Sequence, residues 1–554
     1  MAGAPSDRPD KSDWSDTAPL AAAPQRDFED NAMTATHVAA GLLALCALAP
    51  AAAGAELLAN TDFAAGSPAA TIKGWDLYGP LGGSVKPLPK SGALLGTTRV
   101  QLPDGGESWE GALAANTIEV LPGRKYRFQI EARGVGPLTF GVLEYGWKYS
   151  AAVIGKSATR AELTPEAKVL VFDYTPTQDR VSHVRPFVQV TGWWRRAELR
   201  RASFVSLAAA ADIALTPGHF AAPIGGALPL TVQSAHYPVK LLLYGPTGDA
   251  GPGGGMGGSG AFTDIFKSAM SVQGAAGQAV TVSIPIPTDA LQGSYRLVAV
   301  DLATGGSKAA HFTAMPKADL DKTLALLKTL NLPDGATLVF LGDSLTANFP
   351  NRNYPALLDR ALTWRFGGKV KVINAGIGGN NILQMAERLD KDVLARNPTH
   401  VFLFEGANDC KRTYQPATGE LSDWVVPADK YEAAFRDIVS RLAEKKVKVI
   451  VMTCAPGDPV SLDFFAMQKK VFGEGGNLFC LPDEVAKIVA IQKRAAADLK
   501  ADLIDTHRLL SDYMARRQQT NSPEHLHVDD GVHLSEYGNR EVARIVLEYL
   551  AGGK

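Results

Sequence analysis

A serine, a histidine and an aspartate can supply a nucleophile, a base and the group that orients the base, and this chain offers all three in restricted settings. Ser344 stands in Gly342-Asp343-Ser344-Leu345-Thr346. Much later, Asp530-Gly531-Val532-His533-Leu534-Ser535 puts a carboxylate three residues before an imidazole, so that both can meet on one turn. A carboxylate placed there holds the ring in the tautomer whose other nitrogen accepts the serine proton. Asp529 is the alternative orienter, and the spacing to His533 favours Asp530. Two further blocks could stabilise an anion. Asn374-Ala375-Gly376-Ile377-Gly378-Gly379-Asn380 is rich in glycines, which let a backbone approach a ligand closely and present N–H groups to it. Glu405-Gly406-Ala407-Asn408-Asp409 offers the side-chain amide of Asn408 as a donor.

Other residues of reactive type read more plainly. Asp343 and Asp409 flank the block residues and are read as structural hydrogen-bond partners of the loops. Cys410 lies near Asn408 but has no base assigned to it, so it is read as a packing residue or a disulfide partner. His525 and His527 with Asp529 lack a further ligand, which makes a polar loop the better reading than a metal site. Gly253, Gly255 and Gly258 spell a formal GxGxxG inside a glycine tract. No helix opens there, so a flexible loop is expected and not a dinucleotide site. Ser259 has no GxSxG frame, and no such frame occurs elsewhere, which argues against a nucleophile elbow. No metal and no cofactor is expected.

The elements that would position the four blocks occupy residues 316–554. Short apolar runs (Thr337 to Leu341, Val370 to Ile373, Val401 to Phe404, Val447 to Met452, Asp502 to Ile504) alternate with helical periods at Tyr354 to Leu362, Ile382 to Ala395 and Ala428 to Glu444. A last helix follows Ser535, a suitable N-cap, and runs to about residue 550. Strand–helix alternation predicts a parallel sheet covered on both faces, an α/β/α three-layer domain with a flavodoxin-like sheet. Function in such sheets collects where strands end in loops at the carboxyl edge, and the first three blocks fall there.

Each block alone is weak, but four in this order at predicted strand ends and before the last helix resemble the SGNH hydrolases, also called the GDSL esterases. The resemblance spans 316–554. It implies a Ser344–His533–Asp530 triad and an oxyanion hole made by the backbone N–H of Ser344 and Gly379 and the amide of Asn408. It also implies carboxylic ester hydrolysis on short acyl esters, lipids or acetylated sugars. Gly457 to Pro482, with Phe464, Phe465, Met467, Phe472 and Phe479, is an insertion-like stretch that either shapes the acyl pocket or packs on the domain.

The rest of the chain reads as two all-β sandwich segments. Residues 56–207 show alternating strands such as Lys125 to Ile130 and Val184 to Val190, with a Pro122-Gly123 turn. The opening Glu56 to Phe63, Gly74-Trp75 and Leu121-Pro122-Gly123 before Tyr126 resemble jelly-roll carbohydrate-binding modules. That resemblance implies a carbohydrate partner and makes Trp75, Trp109, Trp147, Trp193 and Trp194 sugar-stacking candidates, against a core reading for each. The family's Asp-rich final strand is replaced by Arg200 to Val205, which removes the grounds for a bound calcium. Residues 208–315 carry strands at Val239 to Tyr244, Ala279 to Ile286 and Tyr295 to Val300, and Gly293-Ser294-Tyr295 with Asp301 to Gly305 resembles the last hairpin of immunoglobulin-like spacers.

With 554 residues the chain is too long for one core. Its net charge of −1 gives no basic field for nucleic acid, and Arg195, Arg196, Arg200 and Arg201 read as one solvated strand face. Residues 1–55 read as a polar leader and signal peptide. Val38 to Ala49 is an apolar run too short to span a membrane, Ala53-Gly54-Ala55 a small-x-small cleavage site, and Met33 a candidate start. Export, periplasmic or extracellular, is therefore expected, with no integral membrane span after cleavage. Cys410, Cys454 and Cys480 would remain, as one disulfide with a free thiol or as three thiols. Together these readings predict an exported serine esterase, with deacetylation of a glycan preferred. The rivals are a lipid esterase, lysophospholipase or thioesterase with the same triad, and a catalytically silent glycan-binding protein.

Overall fold

A computed structural model describes residues 56–553 except 59–60, 64–71, 73, 78–83, 89–90, 102–106, 147–151, 193–194, 210–211, 247–263, 416–417, 458–476, 521–523 and 529. The leader, the glycine tract with Ser259, Trp147, Trp193, Trp194 and Asp529 lie outside the described residues, as do most of the 457–482 stretch and its Phe464, Phe465, Met467 and Phe472. The described residues belong to one compact unit.

The C-terminal part is built as strand, helix and strand in turn. After α1 (Lys317–Thr329) come β1 (Thr337–Gly342), α2 (Ser344–Ala347), α3 (Tyr354–Phe366), β2 (Lys371–Gly376), α4 (Ile382–Asp392), β3 (His400–Phe404) and α5 (Ala428–Glu444). Then follow β4 (Lys448–Met452), α6 (Pro482–Asp498), β5 (Asp502–Ile504), α7 (Thr506–Gln519) and α8 (Glu536–Leu550). The five strands pair in the order β2-β1-β3-β4-β5, all parallel. That order puts the point where successive connections change direction at the carboxyl ends of β1 and β3.

Alternation along the strands explains the three layers. Leu338 and Phe340 of β1, Phe402 and Phe404 of β3, and Ile450 and Met452 of β4 feed one apolar core beneath α1, α3, α7 and α8. Their neighbours Val339, Leu341, Val401, Leu403, Val449 and Val451 feed a second core beneath α4, α5 and α6. Burial on both faces is what makes the strands read as continuous apolar runs. The expected strands and helices are present with ends moved by a few residues. The helix expected over Ile382 to Ala395 stops at Asp392, and Leu394–Arg396 forms a 3-10 turn.

The N-terminal part is made of antiparallel sheets. A seven-stranded and a five-stranded sheet enclose one core that draws on residues from Leu58 to Phe204. Trp75 is 3% exposed in that core, which removes it as a sugar platform, while Trp109 is half-buried. The arginine group lies on the outward side of its strand, with Arg201 exposed. Arg200 pairs with Glu198 at 3.0 Å and Glu131 at 3.7 Å, whereas Arg195 and Arg196 are exposed. In the second segment a three-stranded and a five-stranded sheet share another core, from Ile213 to Ala314. Its Phe220 and Ala221 belong to the core beneath α1 and α3, so this segment is packed into the C-terminal part.

Candidate active site

The turn from β1 into α2 is tight because its neighbours come very close. A Cβ on Gly342 would lie 2.3 Å from Thr346 Oγ1 and 2.5 Å from the Phe404 carbonyl oxygen, and one on Gly376 would lie 2.6 Å from the Ala347 nitrogen. Glycine at these two positions lets the serine-bearing turn sit against the ends of β2 and β3. Asp343 caps the turn, its Oδ1 accepting from Leu345 N at 2.8 Å. Ser344 follows as the first residue of α2, at the carboxyl edge of the sheet.

The histidine arrives on a different arm. Leu526 to Ser535 closes on itself, with Val528 N donating to the His533 carbonyl at 2.8 Å and Ser535 N to the Leu526 carbonyl at 2.9 Å. Inside this loop Asp530 Oδ1 accepts the backbone N–H groups of Val532 and His533, each at 2.9 Å. Asp530 Oδ2 lies 2.7 Å from His533 Nδ1, and His533 Nε2 lies 2.8 Å from Ser344 Oγ. Burial pushes the Asp530 carboxyl up, but the bond and charge of His533 and the two backbone donors outweigh it and hold the group below its ordinary value. Asp530 is thus ionised beside a ring whose Nδ1–H it accepts, which leaves Nε2 as the acceptor facing the serine.

The two other blocks converge on the same edge. Gly379 adopts φ +79°, a left-handed conformation that favours glycine, and its Cβ direction meets no heavy atom within 4 Å. A Cβ on Gly378 would lie 3.9 Å from Ser344 Cβ, so this loop borders the serine. Asn408 is 8% exposed, and its amide nitrogen donates to Asp343 Oδ2 at 3.2 Å and to the Asn380 carbonyl at 3.1 Å. Both contacts are at the long end for N–H···O bonds. Burial pushes the Asp343 carboxyl up to about 6.

Asp409 accepts from Ile382 N at 2.9 Å at the start of α4, and Glu405 receives the Tyr431 hydroxyl at 2.5 Å and the Gln492 amide at 3.1 Å. Burial drives both carboxyls well above their usual range.

Several residues of the site carry no motif. Arg388 of α4 donates to Asn380 Oδ1 at 2.7 Å, the Ala375 carbonyl at 2.7 Å and the Gly342 carbonyl at 3.1 Å, stitching the ends of β1 and β2 to the glycine loop. Asn539 of α8 accepts from Tyr354 N at 2.9 Å and donates to the Ser535 carbonyl at 2.9 Å, while the Tyr354 hydroxyl meets Thr346 Oγ1 at 2.9 Å. These bonds join the arm of the histidine to the arm of the serine.

The remaining reactive residues stay apart. Cys410, Cys454 and Cys480 are buried free thiols, and burial pushes the Cys410 thiol well above its usual value, the wrong direction for a nucleophile. Among the described residues no group of three or more His, Cys, Asp or Glu side chains is arranged to hold a metal ion. No helix among them is long and apolar enough to cross a membrane. Of the 457–482 aromatics, Phe479 is described, half-buried with the Lys411 ammonium 5.2 Å from its ring centroid.

The sequence matches the GDSL-like lipase/acylhydrolase family over residues 340–541, an interval that begins in β1 and ends in α8. Residues 340–541 are a GDSL-like lipase/acylhydrolase domain. This hydrolase domain is similar to the acetylxylan esterase of Geobacillus stearothermophilus, 29% identical over an alignment of 139 positions that covers 22% of this chain. The chain spans 62% of the length of that curated relative. Among solved structures, the acetyl xylan esterase AlAXEase is 27% identical, with 38% of this chain and 98% of that one covered and a TM-score of 0.31. A lipase/acylhydrolase from Enterococcus faecalis is 20% identical, with 39% and 96% covered and a TM-score of 0.31.

Proposed function

We propose that this chain is an exported serine ester hydrolase that removes O-acetyl groups from a carbohydrate. The observation that carries the reading is the continuous relay from Ser344 Oγ through His533 to Asp530, with links of 2.8 Å and 2.7 Å, beside the glycine loop of β2. Both links are within the reach required of a nucleophile, its base and the group that orients the base.

In this mechanism His533 Nε2 takes the Ser344 proton as Oγ attacks the ester carbonyl. The negative charge that develops on the carbonyl oxygen is met by the backbone N–H groups of Ser344 and Gly379 and the amide of Asn408. A charged acceptor competes well for the Asn408 N–H that now makes a long bond to Asp343 or Asn380. The tetrahedral intermediate collapses, His533 protonates the leaving alcohol, and an acyl group remains on Ser344. Water then attacks this ester with His533 again as base, the acid leaves, and the serine recovers its proton.

The choice of an acetylated carbohydrate rests on the similarity to an acetylxylan esterase and on the jelly-roll resemblance of residues 56–207, which is an argument from architecture. In this reading residues 1–55 direct export, 56–207 hold the glycan, 208–315 form an immunoglobulin-like segment and 316–554 carry out the hydrolysis. The test compares the chain from Glu56 with its Ser344→Ala variant on p-nitrophenyl acetate, acetylated xylan and acetylated pectin. Acetate release from a polymer that disappears in the variant supports the whole reading. Turnover of the synthetic ester alone keeps the triad and withdraws the glycan. Equal rates in both proteins refute the triad.

A further inference from the structure

The second β segment touches the hydrolase domain at one place that bears on the chemistry. Glu536 opens α8, three residues after His533, and its side chain is buried. Oε1 accepts the backbone N–H of Ser294 at 2.8 Å, in a buried bond across 242 residues of sequence. Gly293 beside it has φ +147°, and a Cβ there would lie 2.2 Å from Glu536 Oε2. The glycine is therefore the space into which the carboxylate fits.

Two guanidinium groups complete the knot, and both belong to the arm that follows Ser344. Arg352 Nη1 stands 3.8 Å from Glu536 Oε1, with side chains 10% and 9% exposed. Arg360 of α3 donates to the Asn351 carbonyl at 2.8 Å and reaches Ser294 Oγ and Thr313 Oγ1, each at 3.5 Å. Its burial lowers its pKa to about 10, and the charges of Asp359 and then Glu536 oppose that fall. Next to the knot, Gln292 of the β segment accepts from Arg540 of α8 at 2.6 Å and donates to Glu524, just before the histidine loop. The arm of the base, the arm of the nucleophile and one strand end of the β segment thus share a single buried carboxylate.

The geometry points to Glu536 as a positioning residue, held by the Gly293–Ser294 strand end of the second β segment, that fixes His533 against Ser344. The segment is then a working part of the hydrolase site and not a spacer. This inference rests on the proposed triad. A carboxylate buried against the Arg352 guanidinium and a backbone N–H is costly to shift, because its charge has no solvent to fall back on. A displaced opening turn of α8 moves the imidazole that precedes it, and a misplacement on the order of 1 Å lowers turnover about 100-fold.

The test uses the full chain with Gly293→Ala, Glu536→Ala and Glu536→Gln, with Leu228→Ala as a control that disturbs the core of the same β segment away from the knot. Each is measured for kcat and KM on p-nitrophenyl acetate below its own Tm, and for the rate of Ser344 labelling by a fluorophosphonate. Gly293→Ala and Glu536→Ala are expected to lower kcat and labelling about 10- to 100-fold with KM within about twofold. Glu536→Gln, which still offers an oxygen to Ser294 N, recovers much of the loss. Leu228→Ala lowers Tm but leaves kcat near wild type. Unchanged kcat in both Gly293→Ala and Glu536→Ala overturns the inference, as does an equal loss in Leu228→Ala. If Gly293→Ala does not fold, the Glu536 pair decides alone. Wild-type turnover that does not depend on Ser344 overturns the proposed function as well, which separates the two failures.

Discussion

Replacing Asp530 with asparagine should cost catalysis far more than stability. The carboxylate accepts from the backbone of Val532 and His533 on Oδ1 and from His533 Nδ1 on Oδ2. Asparagine keeps an oxygen for the two backbone donors, so the loop stays closed and the stability change should be about 1 kcal/mol or less. Its NH2 group then faces Nδ1 and can only donate. The ring responds by moving its proton to Nε2, the nitrogen that must accept from Ser344. A trapped tautomer of this kind costs ~10⁴ in kcat, equivalent to ~5 kcal/mol of barrier. Initial rates on p-nitrophenyl acetate, corrected with Ser344→Ala, and thermal melts of the same preparations would separate the two effects. A folded Asp530→Asn protein that loses less than about tenfold in kcat would refute the role of Asp530 as orienter, whatever its distance from the ring.

Other perturbations have equally definite outcomes. Asn408→Ala should lower kcat by ~10²–10³ with KM little changed, as expected for a lost oxyanion donor; a change confined to KM would assign Asn408 to substrate binding. Gly376→Ala would press a methyl group onto the Ala347 nitrogen 2.6 Å away. It should cost about 1–3 kcal/mol and depress kcat by moving α2, and an unaltered Tm would contradict the crowding argument. Asp409 has its folded-state pKa raised above the ordinary 3.8 chiefly by burial, so the native protein holds a proton that the unfolded chain gives up. Its contribution is fully present at acid pH below that ordinary value and is lost as pH rises through the raised one. Asp409→Asn should therefore gain Tm relative to wild type between pH 5 and pH 8, and a difference independent of pH would show that Asp409 is ionised in the fold.

What could be read from the sequence was local. The Asp530–His533 pair is three residues apart, and its spacing alone implied the contact. The strands of the parallel sheet were legible because Val339 and Phe340 are both buried, on opposite faces, so the run is apolar throughout. The glycines of the serine block were legible as a pattern but not in their cause, since the crowding by Thr346, Phe404 and Ala347 depends on three elements meeting. Arg388, Tyr354 and Asn539 were not legible, because an arginine on an amphipathic helix and an asparagine in α8 look like solvent-facing residues until the partner loops are known. The Ser294–Glu536 bond spans 242 residues, and nothing in either local sequence announces it. Trp75 follows the general rule for aromatics in a β-sandwich, its ring being part of the core and not a platform for a sugar.

The separation of Ser344 from His533 also has a consequence for the order of synthesis. The two residues touch across 189 positions, and β1 with its serine leaves the ribosome long before the base exists. N-terminal parts of a chain generally fold first. The β1–α2 turn can therefore form around an alcohol that has no partner to remove its proton. Only when the Leu526 to Ser535 loop closes and α8 lays Asn539 against Tyr354 does Ser344 meet its base. A nascent chain would thus stay unreactive toward esters around it, and its hydrolytic competence would begin with the last packing step of the fold.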